Sequence, residues 1–184
     1  MGQYHRIVNL DKAEYLNPHE LGDGLKWVEQ ATSELGTMTA LWGAITYPER
    51  RGGGDPQEHP FVGRWHGDRV VMVGDYAEDT DRPDVPQWGA LFHRCADAED
   101  FATFIEDERD RLSETSSYHA YAKAPEWIDA VAASGPLTNV SALARAFLTE
   151  QFGLVFSGTG WLQRTLPGEE APRTALAPDL ILRG

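Results

Sequence analysis

The sequence predicts an α+β fold, a single domain in which a small, mainly antiparallel sheet carries about four to five packed helices. Three observations point there. Strand-like patterning occurs at Tyr4 to Leu10 and again across Phe61 to Gly74, while apolar residues at helical spacing follow Asp23, Asp97, Pro125 and Ser141. Strands and helices do not alternate regularly, as they would in a doubly wound sheet. A chain of 184 residues is also long enough for one domain with a real core, whereas two independent domains would each be small and marginal.

Taken in order, Tyr4, Val8 and Leu10 fall on one side of a first strand, and Asp11 to Glu14 reads as a polar turn. Asp23, flanked by glycines, is placed to cap a helix from Gly24 that carries Leu25, Val28 and Leu35 and ends at Gly36. Thr37 can cap a second helix through Trp42 and Ile45, although Met38, Ala40, Trp42 and Ala44 also alternate as a strand would. Residues 49–60 form a glycine-rich surface loop; its three glycines are followed by Asp55-Pro56 and not by the lysine and helix of a phosphate loop. A hairpin over residues 61–74 then turns at Gly67-Asp68. Its second arm, with the continuous run Val70 to Val73, reads as the central strand. Trp88 to Cys95 alternates like a further strand. Asp97 caps a helix whose inward stripe is Phe101, Ile105, Glu108 and Leu112, and Pro125 opens a helix closed by Gly135-Pro136. A last helix starts at Asn139 or Ser141 and ends near Gly153, followed by two short strands around Gly158 to Gly160. The tail, 167–184, reads as loosely docked.

Composition limits the function classes. The formal charge of −13 repels phosphate backbones and anionic membranes, so neither direct nucleic-acid binding nor membrane association is expected. Most of that charge is local: between Asp75 and Asp110 stand twelve acids against Arg82, Arg94 and Arg109. No apolar run approaches the length of a spanning helix, nothing at the start resembles a secretory leader, and the single Cys95 has no disulfide partner, which together suggest a cytoplasmic protein. Cys95 itself reads as a small buried residue. No cofactor motif is present.

The opening of the chain and the hairpin carry a resemblance. NLDKAEYLNPHELGDGLK, the GTMTAL that follows and GRWHGDRVVMVGDYAED resemble an uncharacterised family of small proteins from actinobacteria, with more distant relatives in phage-like sequences. The likeness covers roughly the first 80 residues. It implies an intact natural domain, and since the family has no established activity it implies no catalytic residue.

The chemically loaded residues begin at Asp75, where the expected central strand meets solvent, with Tyr76, Glu78, Asp79 and Asp81 directly after it. Such a run can offer oxygen ligands to a hard cation, but it lacks the alternation of an EF-hand loop, and no metal is assigned. The plainer expectation is an acidic solvated loop whose first Asp turns the chain. His19 and Asp23 form a second candidate that could join Asp75 as an acid-base or metal cluster; a histidine fixing a turn is the alternative. Arg64 and Trp65 on the hairpin combine cationic and aromatic character suited to contacts, against the expectation that Trp65 is core and Arg64 pairs with the acids downstream. The sequence therefore supports first a non-enzymatic binding or interaction protein whose acidic face meets a basic protein partner. The alternative is a small-ligand or divalent-metal binder, or a metal-assisted hydrolase, using Asp75 with His19 and Asp23.

Overall fold

The structure, a computed structural model, describes residues 3–47, 56–113, 123–159 and 161–169. Most of the expected glycine-rich loop, the polar run 114–122 and the greater part of the tail lie outside the described residues. The α+β class holds, with six α-helices, a four-stranded sheet and a two-stranded sheet among the described residues. The chain divides into two compact units, one of Met1–Asn17, Leu25–Val28 and Gly67–Val140 and the other of Pro18–Gly24, Glu29–His66 and Ser141–Gly184. Each draws on three separated segments, so no single cut in the sequence divides them. Among the described residues no helix is long and apolar enough to cross a membrane.

The first unit holds the larger sheet: β1 (His5–Asn9), β2 (Glu14–Leu16), β3 (Val70–Gly74) and β4 (Thr138–Asn139), in the order β3-β1-β2-β4. The β1–β2 and β1–β3 pairs are antiparallel, and β2–β4 is parallel. Buried Asn9 organises the turn after β1. Its side-chain oxygen accepts from Asp11 N and Lys12 N, both at 2.9 Å, while Nδ2 donates to Asp68 at 2.7 Å, just ahead of β3. Asp11 then holds Arg69 through its backbone N at 2.6 Å and its Nε at 2.8 Å. A local polar cluster thus sets the register before any apolar packing is counted.

Two expectations are corrected here. The 61–74 hairpin does not form, and β3 stands at one edge of the sheet, with β1 rather than β3 between two neighbours. Phe61 to His66 instead makes successive turns, in which Arg64 N reaches Phe61 O at 3.2 Å and His66 N reaches Gly63 O at 3.0 Å. Phe61 and Trp65, four residues apart, are both fully buried. Helical-type spacing, and not the apparent alternation of VGRWH, describes that segment. The same misreading affects Trp88 to Cys95, which forms a short 3-10 turn (Trp88–Ala90) and α3 (Leu91–Arg94). Trp88, Leu91 and Cys95 are buried at positions i, i+3 and i+7, one face of a helical path, where they meet Val8, Tyr15 and Val73.

The helices α4 (Ala98–Ser113) and α5 (Pro125–Ser134) pack through Phe101, Ile105, Ile128 and Val131. As expected, Asp97 caps α4: its Oδ1 accepts from Glu99 N at 3.0 Å and Asp100 N at 2.9 Å. Leu112, on the same stripe in the last turn of α4, is 37% exposed.

The second unit contains α2 (Thr37–Ile45), α6 (Ser141–Phe152), and the antiparallel pair β5 (Val155–Ser157) and β6 (Gln163–Thr165). The helix, not the strand, is realised at Thr37–Ile45. Gly43 faces Phe147 so closely that an added Cβ would lie 2.6 Å from the ring, and Phe61 packs on the same ring at 5.6 Å. The helix expected from Gly24 is replaced by the shorter α1 (Trp27–Thr32), and Asp23 is used elsewhere.

Cys95 is 1% exposed, its Sγ donates to Leu91 O at 3.1 Å, and burial pushes its thiol up to about 12. The native protein is therefore expected to resist a thiol-disulfide reagent at mildly alkaline pH and to react with one equivalent once denatured. Rapid labelling of the native state would contradict this burial.

Candidate functional site

The chain leaves β3 at Asp75, which extends the β1–β3 ladder by one reciprocal pair: Asp75 N donates to Tyr4 O and Tyr4 N donates to Asp75 Oδ1, each at 3.0 Å. Asp75 also lines the cleft described below. Two of the acids that follow, Asp79 and Asp81, are committed to backbone. Asp81 Oδ2 accepts from Glu78 N at 2.8 Å, closing its own turn. Asp79 joins three segments, accepting from Gly89 N at 2.9 Å through Oδ1 and from the Trp127 indole N–H of α5 through Oδ2. Gly89 suits this approach: a Cβ there would sit tightly against backbone, 3.2 Å from Ala77 O and 3.3 Å from Asp79 N. Tyr76 and Glu78 remain exposed.

Beside this loop lies a cleft of about 240 Å3 within the first unit. Asp75, Tyr76 and Glu78 form one wall, and α4 supplies Phe104, Glu108 and Arg111. His93, Lys123 and Trp127 complete it. The His93 ring stacks on Phe104 with centroids 4.3 Å apart and planes within 1° of parallel. Burial holds the His93 pKa below its ordinary value, opposed by the negative charge of Asp75, while Arg111 and Arg6 push the same way as burial. Lys123 Nζ lies 5.3 Å from the Trp127 ring centroid, a cation–π arrangement.

Glu108 is the unusual member. It is 5% exposed on the inward face of α4, where one carboxylate oxygen accepts from Arg111 and the other, Oε2, has no hydrogen-bond partner among the described residues. Buried carboxylates without full pairing are costly, and carboxylates are seldom fully buried at all. The sequence did carry a signal for it, a charged residue on an otherwise apolar stripe. His93 carried none, because its segment reads as a strand.

The other candidates lie in the second unit. His19 stacks on Trp161 with centroids 5.1 Å apart, and its carbonyl accepts from Leu162 N at 2.8 Å. Asp23, fully enclosed, accepts from Thr37 N at 2.6 Å, from Ser33 Oγ, and from Arg164 at 2.9 Å. Its carboxylate therefore caps α2 from fourteen residues upstream, the place where Thr37 itself was expected to act. Gly36 leaves the room: a Cβ there would stand 2.3 Å from Asp23 Oδ2. Trp65 is fully buried with its N donating to Ala44 O at 2.8 Å, and Arg64 is half-buried in the turn. Asp75 thus belongs to one unit and His19 and Asp23 to the other. Among the described residues no group of three or more His, Cys, Asp or Glu side chains is gathered as a metal ion would require.

No protein-family model matches the chain, and neither curated proteins nor solved structures give a match.

Replacing Asp23 by Ala leaves Arg164, itself almost enclosed, without its counter-charge and removes the α2 cap. The expected loss is about 3–5 kcal/mol of unfolding free energy in a urea titration. A change within ~0.5 kcal/mol, the range of ordinary surface substitutions, would show that the pair does not hold the fold.

Proposed function

We propose that this is a non-enzymatic binding protein and that the cleft at the end of β3 receives a small polar molecule. The observation that carries the reading is Glu108, a cleft-lining residue whose carboxylate keeps one buried oxygen, Oε2, without a donor among the described residues. The rest of the lining supports it. Carboxylates, cations and aromatic rings surround the space, and among the described residues no serine, threonine or cysteine lines it. At about 240 Å3 it falls below the ~300–1,000 Å3 typical of drug-sized pockets, which favours a metabolite. The buried thiol and acidic charge fit a reducing, cytoplasmic setting and a partner that is not nucleic acid. A panel of small polar metabolites, each near a hundred times its dissociation constant, should include one that adds about 2.7 kcal/mol and raises Tm by roughly 5–10 °C. Asp75→Asn should reduce that shift. A panel in which no compound stabilises the protein would remove the reading.

A second reading, an acidic face that docks a basic protein segment, is favoured by α4, whose Glu99, Asp100, Glu106, Asp107 and Asp110 are all exposed. Arg109, beside them, is drawn to Asp129 at 3.2 Å. Neutralising Glu106, Asp107 and Asp110 together should weaken binding of a lysine-rich peptide at low salt and erase its salt dependence, with Tm near wild type. Equal binding by the triple variant would count against the face.

A further inference from the structure

Resting on the cleft reading, we infer that the molecule recognised there carries a primary ammonium group on an aromatic or apolar body, and that Glu108 Oε2 is the acceptor for that ammonium. Three features of the cleft bear on its chemistry. Its charge balance favours a cation: among the described lining residues Glu108 and Arg111 offset each other, and Asp75 and Glu78 then stand against Lys123. Unsatisfied hydrogen-bonding capacity points the same way: Oε2 can only accept, so the group that completes it must donate. Finally, Phe104, Trp127 and Tyr76 offer ring faces that attract both cations and apolar bodies. One face of Phe104 is taken by stacked His93 and one face of Trp127 by Lys123, which leaves exposed Tyr76 as the adaptable surface.

An anionic ligand is the competing possibility, since Lys123 and Arg111 also line the cleft. It would bring its charge toward three carboxylates and leave Oε2 without a donor, so it meets neither need. Oε2 is enclosed, so an ammonium reaches it only if the side chains around it give way; Arg111, bonded to the other carboxylate oxygen, is 61% exposed and has room to move. Once seated, the ammonium completes a buried charge-assisted hydrogen bond, which is where both affinity and selectivity for amines would originate.

Three compounds with the same ring separate the possibilities: tyramine, tyrosine and 3-(4-hydroxyphenyl)propionic acid. In calorimetric titrations tyramine and tyrosine should bind and the acid should not. Glu108→Gln, which keeps shape and removes charge, should weaken tyramine binding about tenfold or more, with the variant's Tm reporting that it remains folded. Asp75→Asn supplies an independent variant whose amide oxygen can still accept from Tyr4 N, and it should also weaken tyramine. Chemical-shift changes at the Trp127 indole N–H should accompany tyramine binding and place it in the cleft. Binding of the acid as tight as that of tyramine, or tyramine binding unaffected by both variants, would overturn the amine assignment. If neither compound binds, the amine assignment falls, while a different metabolite that stabilises the protein and perturbs Trp127 would leave the broader cleft reading standing.

Discussion

The antiparallel register of β1 against β3 governs the first unit. His5 pairs with Gly74 and Asn9 with Val70, and each end of the ladder is locked by side chains, Asp75 with Tyr4 at one end and Asp11 with Arg69 at the other. A slip of one residue would turn Val73 away from Val8, Tyr15 and Leu91 and would release the chain from the sheet at a different side chain. Because the register is fixed at both ends, Asp75 emerges at one defined point. The loop that follows can then be tied down by Asp79.

Charge in this protein is less available than its sum suggests. Asp79, Asp81, Asp97 and Asp23 spend oxygens on backbone N–H groups, and the last is also matched by a nearly enclosed arginine. Acids used this way act as local connectors that satisfy donors which helices and turns would otherwise leave open. Arg82 and Asp84 illustrate the exposed case: their parallel hydrogen bonds, both 2.8 Å, hold the Asp84 carboxyl down to about 2 without burying either group. Glu108 stands apart from all of these, since it is enclosed and only half satisfied.

The helices were legible where a start signal and a stop signal bracket an apolar stripe. Asp97 with its following acids, Pro125 with Gly135, and the run ending at Gly153 each combine short-range signals that tertiary contacts reinforce. Failures came where strand and helix periods both fit. In VGRWH and WGALFHRC, bulky residues are spaced so that alternation and an i, i+4 pattern predict the same positions over a short window, and tertiary packing decides. The two-residue β4 and three-residue β2 are too short to show a period, and their pairing exists only because Ala13 O and Tyr15 O find donors at Thr138 and Val140, at 2.9 and 3.0 Å. For the site, Asp75 could be read from its place at a strand end. Glu108, His93, Lys123 and Trp127 could not be grouped, because nothing local in their sequence brings them to that strand.

The parallel β2–β4 pairing has a bearing on how the chain is made. Glu14 meets Thr138, and in the second unit Asp23 meets Arg164, so early residues of both units wait for partners delivered by the last third of the chain. During vectorial synthesis the outer edge of β2 is open and Asp23 lacks its counter-ion until those partners emerge. High contact order of this kind slows folding, and an unpaired strand edge invites association with other nascent chains. The surplus negative charge, which opposes close approach of one copy to another, then protects the molecule most during the interval before it is finished.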